Sequence, residues 1–282
     1  MSTNATRRSF LGNAASVAAF SAADAAPVVN NETGGFKLGV ATYSFREFQR
    51  SLAIKMIKEL KTPYVSIKEF HLPYHDTPEA LVQGRKEFDA AGLQVTSGGV
   101  VNTAAEEDSQ IRRYFDYGKA CRMPMLIMMP TARQLPTVEK LVQEYDIRVA
   151  IHNHGPEDKN FPTPQSVLAV VRNLDPRIGL CMDIGHSSRT GVDLVKSLGE
   201  AGTRLIDVHI KDLKNATDAT SECDVGEGVL PIVGCFEQLR KMGYRGCVNL
   251  EYEINMDAPL TGMLKSFAYM RGVLAGMTGS AA

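Results

Sequence analysis

Five short segments gather side chains able to hold a metal ion or move a proton. They are Lys68-Glu69-Phe70-His71, Ile151-His152-Asn153-His154-Gly155, Asp183-Ile184-Gly185-His186, His209-Ile210-Lys211-Asp212 and Leu250-Glu251-Tyr252-Glu253. Each closes or follows a short apolar run, where a buried strand would end. Side chains along a strand alternate with a period of two. His152 and His154 therefore share a face, as do Asp207, His209 and Lys211, and Asn249, Glu251 and Glu253. One inward group from each of four consecutive runs gives His152, Asp183, His209 and Glu251. Two imidazoles and two carboxylates suit one divalent ion such as Mn2+, Zn2+, Co2+ or Fe2+. A lone histidine at a strand end is more often an ordinary hydrogen bonder, and a lone Asp before Ile-Gly can cap a helix. Four ligand types at one level of four successive strands weigh more, because burying them without partners is costly.

The elements that must position these groups alternate along the chain. Strand-like runs are expected at Lys37–Tyr43, Tyr64–Phe70, Leu93–Val100, Pro124–Met129, Arg148–Asn153, Ile178–Asp183, Leu205–Ile210 and Cys247–Tyr252. Their near-continuous apolar character is that of strands buried on both faces. Helices are expected between and after them, at Leu52–Leu60, Pro78–Ala91, Glu106–Ala120, Val138–Tyr145, Pro164–Asn173, Val192–Leu198, Ile232–Met242 and Leu260–Leu274. Thr77-Pro78 and Thr163-Pro164 read as an N-cap followed by proline in the first turn. Eight such units with a period of about 30 residues have the pattern and size of a (β/α)8 TIM barrel, an α/β fold. A doubly wound open sheet is the alternative, but no GxGxxG follows the first run. In a TIM barrel the active site lies at the C-terminal ends of the strands, where the polar groups collect here.

Composition narrows the function classes. The 282 residues carry 31 Lys+Arg against 32 Asp+Glu, so the basic excess of a large nucleic-acid footprint is missing. Beyond the N-terminus no apolar run approaches the length of a membrane span. Five cysteines, an odd number with no CxxC, indicate neither a disulfide framework nor a structural zinc site. Residues 1–26 read as a cleavable address. Arg7-Arg8 resembles the twin-arginine export signal, an apolar stretch follows, and Ala23-Asp24-Ala25 fits a cleavage site. The expectation is a bacterial protein that is periplasmic or exported. Residues 27–35 then form a linker, 36–276 the barrel and 277–282 a tail.

The motifs resemble the xylose isomerase-like barrel superfamily over roughly residues 36–276. Tyr43-Ser44-Phe45-Arg46, Lys68-Glu69-Phe70-His71-Leu72-Pro73 and His152-Asn153-His154-Gly155-Pro156 are similar to segments of its exported branch, known as sugar phosphate isomerases/epimerases. The resemblance implies metal ligation by Asp183, His209 and Glu251, with His152 where relatives usually have Glu. It also implies that His186 touches substrate oxygens. The substrate expected is a small carbohydrate or cyclitol, deprotonated at a carbon next to a metal-bound carbonyl. Glu251 is the best base, and Lys68, His154 and Lys211 are catalytic candidates as acids or oxyanion partners. His71, His186 and Glu227 of the Gly226-Glu227-Gly228 loop are candidate substrate contacts. Ketose 3-epimerases use two metal-bound glutamates, and only Glu251 of that pair stands here. The same site could therefore serve an isomerase, an epimerase, an inosose-type dehydratase or a 3-keto-glycoside lyase. A non-catalytic sugar-binding protein is the alternative from another class, and an endonuclease IV-like hydrolase fits poorly without a basic face.

Overall fold

A computed structural model describes residues 35–279. The expected export signal and nearly all of the linker lie outside the described residues. Eight parallel strands close into a barrel: β1 (Lys37–Ala41), β2 (Tyr64–Ile67), β3 (Gln94–Asn102), β4 (Met125–Met129), β5 (Arg148–His152), β6 (Ile178–Asp183), β7 (Leu205–Ile210) and β10 (Cys247–Leu250). Neighbours in sequence are neighbours in space, and β10 closes the ring between β7 and β1. Two short strands, β8 (Asp212–Leu213) and β9 (Glu222–Cys223), form an antiparallel ribbon above the end of β7.

The strands are buried on both faces, which is why they read as continuous apolar runs. Leu126, Val149, Leu180, Val208 and Val248 belong to the main core cluster. Met125, Ile127, Ala150 and Cys181 form a separate small cluster. The latter alternate along their strands with the former, so they face the barrel interior.

The helices are α1 (Arg50–Glu59), α2 (Pro78–Ala90), α3 (Arg112–Ala120), α4 (Leu135–Tyr145), α5 (Pro164–Val171), α6 (Ile184–Ser188), α7 (Leu194–Ala201), α8 (Ile232–Lys241) and α9 (Leu260–Gly279). Thr77 and Thr163 cap α2 and α5 as expected, accepting from Ala80 and Ser166 N–H groups. β6 and β7 have the expected bounds. Other expectations shift. β2 stops at Ile67, and Lys68–His71 forms a turn in which His71 N–H donates to the Lys68 carbonyl. α3 begins at Arg112, after a 3-10 turn at Asp108–Gln110. α9 runs on to Gly279, into the span expected to be a tail. Among the described residues no helix is long and apolar enough to cross a membrane.

Candidate active site

The C-terminal ends of β5, β6, β7 and the residue just past β10 bring His152, Asp183, His209 and Glu251 together. One potential ligand atom from each lies within 4.8 Å of all the others, and all four residues are buried. Strand register explains the grouping. His209 pairs laterally with Asp183 on one side and Asn249 on the other. Glu251, one inward step past Asn249, then reaches the same level because barrel strands are tilted and staggered. The Glu251 N–H donates to the Ile210 carbonyl and prolongs the ladder beyond β10.

Local contacts aim each group. Asp183 caps α6 with Oδ1, which accepts from the His186 N–H at 2.8 Å. Its Oδ2 is buried and faces the Lys211 ammonium at 3.2 Å. One carboxylate thus serves as helix cap and as candidate ligand. Asn153 fixes β6 against β5: its Oδ1 accepts from Asp183 N–H at 3.1 Å, and its Nδ2 donates to Ser187 Oγ at 2.9 Å. His209 Nδ1 lies 3.1 Å from Glu251 Oε2, so Nδ1–H donates to that carboxylate and leaves Nε2 as the nitrogen that could turn to a metal. His209 Nε2 and both ring nitrogens of His152 are buried without partners. An orphaned buried polar atom costs about 1–3 kcal/mol. Buried imidazole nitrogens without partners, beside the Asp183 and Glu251 carboxylates, are what a divalent ion would satisfy, and the donor set fits one.

Charge supports this. Burial pushes the His152 imidazole down, toward the neutral form that binds metals. Burial alone would raise the Asp183 and Glu251 carboxyls. Lys211 beside Asp183, and His209 with Lys211 beside Glu251, instead hold both below the ordinary carboxylate range. The Lys211 ammonium lies 3.2 Å from Asp183 Oδ2 and 3.3 Å from Glu251 Oε2, and also bonds Glu253. Burial opposes its charge, but these carboxylates keep it protonated.

A cavity of about 570 Å3 opens onto the cluster. Its walls include Tyr43, Lys68, His154, His186, Glu251 and Glu253. Lys68 stands in the wall, donating to the Val100 carbonyl and pairing with Glu69 at 3.2 Å. His154 packs its ring 4.2 Å from that of His186. His186 is pushed down to about 2 by burial, and its Nδ1 lies 2.7 Å from an Arg189 guanidinium nitrogen. Since guanidinium only donates, Nδ1 accepts and the neutral ring carries its proton on Nε2. Two expected substrate contacts are placed elsewhere. His71 is buried outside the cavity lining, its imidazole pushed down to about 4 by burial. Glu227 is outside the lining too, 3.8 Å from Lys214 and 3.9 Å from Lys265.

Sequence reasoning missed Arg189, although its partner His186 is three residues away, and gave Asn153 no role, since Asp183 and Ser187 lie 30 and 34 residues on. It also missed Cys181, whose thiol groups in space with His152 and His209 although no close Cys/His pair exists in the sequence. Burial pushes that thiol up to about 12, which makes it the weaker ligand beside Asp183. All five cysteines are free thiols.

A family model described as a xylose isomerase-like TIM barrel matches residues 54–272. The chain belongs to the xylose isomerase-like TIM barrel family. Among curated family relatives, an uncharacterised protein of Methanocaldococcus jannaschii is 28% identical over 132 residues, 44% of this chain and 43% of that protein. The rhizopine catabolism protein MocC of Rhizobium meliloti is 29% identical over 146 residues, 46% of this chain and 44% of that protein. The matched stretch thus spans less than half the length of either relative. Among solved structures, a D-tagatose 3-epimerase-like protein superposes with a TM-score of 0.70 at 18% identity. The match covers 88% of this chain and all of that one. At that identity the likeness is one of fold.

Proposed function

We propose that this xylose isomerase-like barrel is a divalent-metal-dependent enzyme of the sugar isomerase/epimerase type. It removes a proton from a carbon next to a carbonyl of a carbohydrate or cyclitol. The observation that carries this reading is the buried convergence of His152, Asp183, His209 and Glu251, with imidazole nitrogens of His152 and His209 left without partners, behind a cavity that His152 and Glu251 line. A divalent ion held by these four residues would supply Lewis acidity toward neighbouring sugar oxygens. Glu251 opens onto the cavity and accepts the proton. His209 Nδ1–H and Lys211 orient its carboxylate from behind. His186, held by Arg189, presents Nε2–H to a substrate oxygen, and Lys68 offers a second cation at the wall. Epimerase-like neighbours in fold support the sugar substrate class.

A second reading, dehydration or β-elimination on the same site, is favoured by one fact. His152 stands where a second glutamate would return a proton to the opposite face, so the ligand set offers Glu251 as its lone glutamate. Both readings share the same first step, and one experiment tests it. The Mn2+-loaded chain in D2O is given ketoses, inososes and 3-keto-glycosides, and deuterium entry beside the carbonyl is followed by NMR. Exchange is expected in the wild type and should fall about 10²–10⁴-fold in Glu251→Gln. Undiminished exchange in that variant would remove Glu251 as the base.

A further inference from the structure

A second cavity, of about 660 Å3, adjoins the active-site cavity on the side of β6 to β9. His186 and Glu253 line both, so the two spaces meet at these side chains. The remaining polar wall of the second cavity is Arg189, Lys211, Thr220 and Glu222. Its cations are already paired. Arg189, whose side chain is 7% exposed, donates to Glu157 at 2.5 Å and to His186. Lys211 is shared by Asp183, Glu251 and Glu253. Glu222 accepts from the Glu253 N–H at 2.8 Å and adds a carboxyl to the same wall. No cation is left to balance a phosphate, whereas carboxyl, hydroxyl and guanidinium groups side by side suit neutral hydroxyls. Leu213 and Ile254 add an apolar surface against which the C–H groups of a sugar ring can pack, and no Phe, Tyr or Trp lines the space.

We infer that this second cavity is a subsite for the outer ring of a neutral glycoside whose reacting ring occupies the active-site cavity. The inference rests on the sugar reading above and narrows it: the substrate has two rings and no phosphate. Arg189 serves both halves. It holds His186 for the reacting ring, and its remaining edge lines the outer space.

The test uses probes that share one ketose half. D-fructose, its 1- and 6-phosphates, and glucosyl-fructoses linked at O1, O3, O5 or O6 are titrated calorimetrically into the full chain loaded with Mn2+. At least one glucosyl-fructose is expected to bind about tenfold more tightly than fructose, and neither phosphate should gain. Ala219→Trp fills the outer cavity from its exposed rim, away from the proposed ligands. It should return the favoured disaccharide to the fructose level while leaving metal content and fructose binding unchanged. Fructose binding with no gain for any disaccharide overturns the subsite alone, as does a favoured disaccharide unaffected by Ala219→Trp. A gain for a phosphate overturns its neutrality. Failure of all seven probes to bind the metal-loaded chain overturns the subsite together with the ketose form of the functional reading.

Discussion

Glu222 has chemistry that its position in the chain does not announce. Burial beside the Lys211–Glu253 pair pushes its carboxyl up to about 7 from the usual 4.5, with Lys211 and the Glu253 N–H opposing the rise. A raised carboxyl keeps its proton longer when folded than when unfolded. Its stabilising contribution is therefore present at low pH and is lost as pH rises from about 4.5 through 7. Glu222→Gln removes the titration while keeping an acceptor for the Glu253 N–H. With EDTA present throughout, wild-type stability relative to Glu222→Gln should decline across that window, by on the order of 2 kcal/mol, and then level off. Parallel pH curves from denaturant melts would contradict the shifted carboxyl. The proposed ligands, by contrast, were legible as residues. Side-chain parity alone put His152, His209 and Glu251 inward, and Asp183 at the last position of its strand. Parity sees one strand at a time. It could not show that Asn153 ties Asp183 in place, that Arg189 sets the His186 tautomer, or that His71 turns away once β2 ends at Ile67.

At the scale of elements, the eight barrel strands were readable because burial on both faces leaves an unmistakable apolar run. Features held by polar contacts between distant segments were not. The β8–β9 ribbon is the main case, and Asp212 is its fastener. This buried carboxylate accepts from the N–H groups of Leu213, Gly226, Gly228 and Leu230 at 2.9 to 3.1 Å. Gly228 must be glycine, since a Cβ there would lie 2.1 Å from Asp212 Oδ1. Gly226 has φ +99°, in the region that favours glycine. The Gly226-Glu227-Gly228 motif thus earns its spacing by wrapping a carboxylate, and Glu227 is left to surface lysines. Asp212→Ala would strand four N–H groups. It should cost on the order of 3 kcal/mol and open residues 214–230 to proteolysis. A stability change under about 0.5 kcal/mol with an unaltered digestion pattern would show that the ribbon does not depend on this carboxylate.

The whole molecule carries an electrostatic imbalance at its centre that would link folding to the proposed metal binding. Without an ion, Asp183, Glu251 and Glu253 converge on the Lys211 ammonium, with His209 beside Glu251 as a further cationic partner, while burial holds His152 and His186 toward their neutral forms. Closing the barrel therefore gathers negative charge and unpartnered ligand atoms that the unfolded chain leaves in water. An ion that binds only the closed barrel repays this by mass action. At a free concentration 100 times its Kd it adds about 2.7 kcal/mol. For a chain of this size each kcal/mol moves Tm by about 2–4 °C, so the expected rise is about 5–10 °C. The measurement is a calorimetric melt of the EDTA-treated chain against the same sample with excess Mn2+ or Zn2+. His209→Ala removes one ligand and the group that orients Glu251, so its two melts should coincide while the fold persists. Metal content should fall in parallel in His209→Ala and Asp183→Ala. A wild-type Tm that ignores EDTA and added ions would mean that the four side chains meet for another reason, and the proposed chemistry would lose its centre.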